Sequence, residues 1–318
     1  LVSCDEPSAS RRVNQPSPAI VPQSAVRRLP RWALFLLCAA YILPGFVGRN
    51  PWRGADMAAL GYMQELAGGH TPWMAPLLGG LAPETDGLLP YWLGAWAIQL
   101  TTPWAAPELA ARIPFVLLVA LTLLATWYGI YALARSPGAQ PVAFAFGGEA
   151  QPADYARAMA DGGLLALLAC LGLAQPTHET TSYLVQLCCT TLVFYGLATG
   201  PQSKTLAATA LAAGMVGLVL SGAPTLALLY ALGAAALYLS DTHAEPSERR
   251  HAVQWSVLAL ASALIAAALT WWLDAWRWKL AWPQELGKDW LDLARLLVWF
   301  AWPAWPLALW TLWRWRRQ

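Results

Sequence analysis

Apolar residues run through this chain in long unbroken blocks, without the period of an amphipathic helix or a half-buried strand. The blocks span 32–48, 88–100, 113–134, 162–175, 181–199, 205–220, 224–240, 252–273 and 296–313. A hydrocarbon core about 30 Å thick asks for roughly 20 consecutive apolar residues, so the pattern predicts an all-α membrane protein. Residues 88–100 number only 13, with Pro90 near the start and Tyr91, Trp92 and Trp96 along the way, and predict a helix lying in the interface. Eight crossings are then expected, 162–175 and 205–220 being the shortest. Gly222-Ala223-Pro224 marks a turn, and the Trp302-Pro303-Ala304-Trp305-Pro306 run predicts a kink in the last span.

Composition and charge sharpen this picture. Apolar residues make up 58% and charged residues 12% of the 318 positions, and many of the 20 Trp stand near block ends, where an indole suits the headgroup region. With eight crossings, thirteen cations fall on one side: Arg11, Arg12, Arg27, Arg28, Arg31, Arg135, Arg157, Lys204, Arg249, Arg250, Arg314, Arg316 and Arg317. The other seven fall opposite, which sets the N-terminus in the cytoplasm by the positive-inside rule. Residues 1–31 read as a disordered cytoplasmic tail rich in Pro, Ser and Arg, and 32–318 as the transmembrane module, with an outer loop 49–112 and an inner linker 136–161. A net charge of +2 offers no basic patch for nucleic acid, and none is expected as a partner. Cys38, Cys170, Cys188 and Cys189 lie inside apolar blocks and read as small buried hydrophobes, not as a metal site or a disulfide framework.

The same topology gathers the loop 49–112, the turn Gln175–Thr181, the turn Ser221–Pro224 and the loop 274–292 on the outer face. Asp56, Glu84, Asp86 and Glu179 then share one compartment, while the expected spans hold no Asp, Glu or Lys. A transporter usually carries an ionisable relay at mid-depth, so the pattern favours chemistry at the membrane surface. No glycine-rich phosphate loop, His-Glu-x-x-His or nucleophile elbow is present.

The stretch Asp56 to Pro114 resembles the first external loop of the lipid-linked-sugar glycosyltransferases of the GT-C class, the aminoarabinose transferase and protein mannosyltransferase superfamily. The resemblance rests on Asp56, Trp73 seventeen residues later, Pro76, Gly80, Tyr91-Trp92-Leu93 and Arg112-Ile113-Pro114, with His178-Glu179 similar in place to the family's second acidic turn. Met57 stands where the family has a second acid, Ala59 where it has Arg, and Thr85-Asp86-Gly87-Leu88 where it has Glu-Lys-Pro-Pro. The resemblance covers roughly residues 30 to 318 and thins beyond 200. It implies a GT-C-like fold and transfer of a sugar from a polyprenyl-phosphate donor to a membrane lipid or glycan acceptor.

In such a reaction a carboxylate takes the acceptor's hydroxyl proton and cations offset charge on the departing phosphate. Asp56 is the candidate base and Glu179 its partner. Arg53 and Arg112 are candidate phosphate binders, and His178 and Tyr91 candidate substrate contacts. No cofactor is certain; a divalent cation is the one that two close carboxylates would recruit, and its ligands are unknown from sequence. Each residue has a plainer reading. Asp56 would cap a helix from Met57 to Ala67 whose Met57, Leu60, Met63 and Ala67 face lipid, Arg112 would snorkel at a span end, His178 would be a polar turn residue, and Glu84 and Asp86 solvated loop charges. The alternative function is a non-catalytic relative acting as a membrane scaffold or lipid-binding subunit.

Overall fold

The structure, a computed structural model, describes residues 21–48, 50–51, 54–83, 87–200, 202–240, 246–273 and 286–315. Among these no strand forms, and eleven α-helices follow one another: α1 Arg31–Phe46, α2 Gly54–Ala67, α3 Leu89–Thr101, α4 Pro107–Ala134, α5 Pro152–Ala169, α6 Ser182–Thr199, α7 Lys204–Leu220, α8 Pro224–Ser240, α9 Pro246–Trp272, α10 Leu286–Phe300 and α11 Ala304–Trp315. Ala and Leu dominate their interiors, which suits helix propensity. Pro107 and Pro152 open α4 and α5, where a missing N–H leaves nothing unsatisfied.

By length and composition α4, α6 and Val253–Trp272 of α9 suffice to cross a bilayer, and five segments do so if two bent pairs each count as one span. Those pairs are α5 with residues 171–178, bent by 62°, and Gly287–Phe300 with Ala304–Trp313, bent by 88°. Shorter apolar helices are α1, α7 and the Pro224–Leu237 part of α8. The block 296–313, expected as one kinked span, is therefore two nearly perpendicular helices. Pro303 offers no N–H to continue the ladder, and its ring crowds the carbonyl four residues back.

The α6–α7 packing is close because glycines line it. A Cβ at Gly196 would sit 2.8 Å from the Ala207 carbonyl, and one at Gly214 would sit 2.7 Å from the Cys189 carbonyl, so any side chain there would part the helices. Helix α4 packs against α5 and α6, and α7 and α8 against α9. The core is formed by such side chains as Phe46, Met63, Leu66, Phe115, Leu184, Leu211 and Met215. Cys38, Cys170, Cys188 and Cys189 are free thiols, the last three buried.

Two ends of the bundle are distinct. At one, α1 finishes beside the start of α4, the turn 170–181 joins α5 to α6, and the loop after α2 meets the α7–α8 turn. Leu88 N–H donates to the Leu220 carbonyl at 2.8 Å, and a Cβ at Gly87 would lie 2.6 Å from the Ser221 backbone. The loop 49–112, the Gln175–Thr181 turn and the Ser221–Pro224 turn thus meet there, as the charge pattern leads one to expect. At the other end stand the starts of α1, α5 and α7 and the finish of α4, where Gln202 Nε2 donates to the Ala132 carbonyl at 3.1 Å.

That second end differs from the expected tail and linker. From Val21 onward the tail is placed: Gln23 N–H donates to the Gly148 carbonyl at 2.9 Å, Ala150 N–H to that of Val21 at 3.0 Å, and Arg28 pairs with Asp154 at 2.7 Å. The linker 136–161 ends at Gln151, because α5 begins ten residues before its apolar block. Asp154, Arg157 and Asp161 hide that start from a hydropathy reading, although Pro152 followed by Asp154 is a helix-start signal. Asp161 is buried, and its two oxygens accept from Trp127 Nε1 at 2.8 Å and Leu29 N–H at 3.2 Å.

Helices α2 and α3 pack on each other, with the Tyr62 and Tyr91 rings 5.2 Å apart and Gln99 Nε2 donating to the Ala67 carbonyl at 3.1 Å. A Cβ at Gly94 would overlap the Met63 thioether. Met63, expected to face lipid, is fully buried in that contact; Met57 is exposed. The hydrophobic pattern of α2 is compatible with either environment, and only the presence of α3 decides between them.

Candidate functional site

Asp56 is the third residue of α2, so it sits inside the helix and does not cap it. Its carboxyl group is 1% exposed, and Oδ1 accepts from both the backbone N–H of Thr180, at 2.9 Å, and the Thr180 hydroxyl, at 2.8 Å. Thr180 is chemically distant, 124 residues along the chain, yet it follows Glu179 directly. The tie therefore brings α2 and the α5–α6 turn together, with Asp56 bonded to the residue next to Glu179 in sequence. A carboxyl in the first turn of a helix also faces the positive end of the helix dipole.

Glu179 is equally buried, and its Oε1 accepts from Gln175 Nε2 at 2.8 Å within the same turn. The turn is rich in hydroxyls: Thr177, Thr180, Thr181 and Ser182 are all buried. The sequence reading used only His178 and Glu179 from this segment. The signal for the rest was visible as an unbroken polar run, His178 to Ser182, between two apolar blocks.

His178 works as a fastener between this turn and α1. Nδ1 lies 2.6 Å from the Ala174 carbonyl and Nε2 lies 2.8 Å from that of Tyr41. A ring carrying one N–H satisfies one of the two at a time. Tyr41 and Phe46 flank the imidazole at 5.0 and 5.6 Å, the Tyr41 and Thr177 hydroxyls meet at 3.0 Å, and a Cβ at Gly45 would overlap the ring. Tyr41 was not foreseen, being one polar tip in an apolar block.

Arg112 lies in the second turn of α4, not in the loop before it, and is 6% exposed. It does not snorkel. One guanidinium nitrogen donates to the Phe46 carbonyl at 3.2 Å, a carbonyl at the last turn of α1, where a cation complements the helix dipole. Tyr91 is buried against Tyr62 in the α2–α3 packing, and Trp92 Nε1 donates to the Trp73 carbonyl at 2.7 Å while Trp73 stacks on Trp96 at 6.1 Å. The conspicuous Trp73 and Tyr91-Trp92 pair thus lock the outer loop onto α3. Arg53, Glu84 and Asp86 lie outside the described residues.

The structure accordingly brings Asp56, Glu179 and His178 to one junction, with Arg112 at the nearby end of α1, and sets Tyr91 in the packing behind it. Among the described residues no group of three or more His, Cys, Asp or Glu side chains gathers at metal-ligand distances. Comparison of the chain with family models, with curated proteins and with solved structures returned no match.

Proposed function

We propose that this chain is a membrane glycosyltransferase that moves a sugar from a polyprenyl-phosphate donor to a membrane lipid or glycan acceptor at the outer face of a bacterial inner membrane. The observation that carries the reading is the tie from Asp56 to Thr180, which joins a buried acid to the turn that carries the buried Glu179, at the bundle end where the loops meet. A buried polar junction needs a reason, because the same helices would pack at least as well with apolar side chains there.

In this reading the Thr180 contacts hold the Asp56 carboxyl in one orientation, which a general base requires before its pKa matters. The acceptor hydroxyl gives its proton to Asp56 as its oxygen bonds to the sugar's anomeric carbon, the bond from that carbon to the phosphate oxygen breaks, and the polyprenyl phosphate leaves with the electron pair and its negative charge. Arg53 and Arg112 are the cations assigned to that phosphate and His178 is the substrate contact, while Tyr91 supports the site from the α2–α3 packing behind it. A divalent cation beside Asp56 and Glu179 would serve the same end. The finer topology belongs to this proposal as well: about eight crossings with α11 as the last, a cytoplasmic N-terminus, and α2 and α3 in the outer interface.

The experiment is release of polyprenyl phosphate from a panel of polyprenyl-phosphate sugars by the purified protein in lipid nanodiscs. Asp56→Asn is expected to lower the rate about a hundredfold or more, as loss of a general base does. Unchanged release in that variant, or none from the unaltered protein with any donor, would overturn the proposal.

A second reading has its own observation. Asp56, Arg112 and His178 each join one helix or turn to another, so the same residues suit a non-catalytic scaffold or lipid-binding subunit. Absence of transfer together with marked destabilisation by Asp56→Ala would support it.

A further inference from the structure

Helix α10 is the most amphipathic of the described helices. Leu286, Trp290, Leu293, Leu297 and Phe300 recur at intervals of three and four and form one stripe, while Lys288, Asp292 and Arg295 form the opposite one. Among the described residues the apolar stripe is left open, with Trp290 58% and Leu297 60% exposed. Described contacts anchor the far end of α10. A Cβ at Gly172 would overlap Phe300, and Leu171 N–H donates to the Trp302 carbonyl at 3.0 Å.

That anchor fixes the level of α10 in the bundle. Gly172 belongs to the turn at the Asp56 end, so α10 finishes there. Helix α11 packs beside α5, along the bundle, so α10, bent by 88° from it, lies across the bundle axis at that end.

We infer that α10 lies in the plane of the membrane at the Asp56 end, its Leu286–Phe300 stripe sunk into the boundary between headgroups and acyl chains. The occupant of the uncovered face is lipid, because the apolar perimeter of α4, α6 and α9 requires lipid beside it at the adjoining depth. The polar stripe and its flank carry Lys288 and Arg295 against Asp289 and Asp292, so the charges balance. Insertion is driven by apolar area and needs no anionic lipid.

The test is nitroxide depth measurement in zwitterionic phospholipid nanodiscs. Single cysteines replace Trp290, Leu293, Leu297, Lys288 or Asp292 in full-length protein with Cys4 and Cys38 changed to Ser, the other native thiols being buried. Labels at 290, 293 and 297 are expected to be open to oxygen, closed to a water-soluble nickel reagent, and at one depth within a few ångströms, roughly 5–10 Å below the headgroups. Labels at 288 and 292 are expected to meet the nickel reagent, with all depths unchanged when anionic lipid is added. A steady gradient of about 10 Å from 290 to 297 would mean a spanning helix and overturn the inference. So would nickel access on both faces, or exclusion of both reagents from 290, 293 and 297, which would mean cover by protein. Hydrogen exchange on the unaltered protein in the same nanodiscs gives an independent check, since free exchange of the amides at 289–300 is incompatible with lipid burial.

Discussion

Replacing Asp56 separates its structural work from any chemistry it performs. Asp56→Ala leaves the Thr180 N–H and hydroxyl, both buried at the junction, without their acceptor. Each unsatisfied group costs about 1–3 kcal/mol, and roughly 2–5 kcal/mol is expected together. For a chain of this size the unfolding midpoint moves by about 2 °C per kcal/mol, giving a drop of about 4–10 °C. Asp56→Asn keeps a carbonyl oxygen that can accept both bonds, losing only the charge assistance, so a drop of about 2 °C is expected. Cys188 and Cys189 are buried, so a fluorogenic thiol dye reads the transition as those cysteines become exposed. Membrane proteins in detergent seldom unfold reversibly, and the variants must be compared at one heating rate. An Asp56→Ala midpoint within 1 °C of the unaltered protein, on the order of half a kcal/mol, would falsify the junction. An Asn variant as unstable as the Ala variant would show that charge, not acceptor geometry, holds it.

Arg112→Met removes the donor at the end of α1 and is expected to cost about 2 kcal/mol, read as a lower midpoint in the same dye assay, whereas Arg112→Lys should recover part of it. Gly87→Ala forces a Cβ onto the Ser221 backbone and Gly214→Val parts α6 from α7; each should destabilise by about 1–3 kcal/mol, with the loss visible in detergent stability, while Gly138→Ala, with open space around it, should not. Cysteines placed at the exposed His70 and Phe146 should label from opposite sides of sealed vesicles, and labelling of both from the same side would refute the assignment of the two bundle ends to opposite faces. Arg28→Glu should loosen the 21–29 segment from Asp154, and limited trypsin digestion should then cut faster at Arg27 and Arg31.

Hydrophobic block length determined the all-helical membrane class, because a bilayer demands long apolar helices and nothing else in the chain competes with that demand. Charge placement went further and grouped the outer loop with the 175–181 and 221–224 turns, a grouping borne by the Leu88–Leu220 and Asp56–Thr180 contacts. Block length could not place the boundaries. Asp161 looks like a loop residue until Trp127 and the Leu29 N–H are seen around it, and a buried carboxyl is tolerable only with such partners. The break at Pro303 was legible as a kink, but its 88° size was not. Asp56 and Glu179 were legible as acids near span ends. That Asp56 reaches across to the backbone beside Glu179 was a matter for the tertiary structure alone, because a hydrogen bond between residues 124 apart depends on how α2 and the α5–α6 turn dock, and no local pattern encodes that docking.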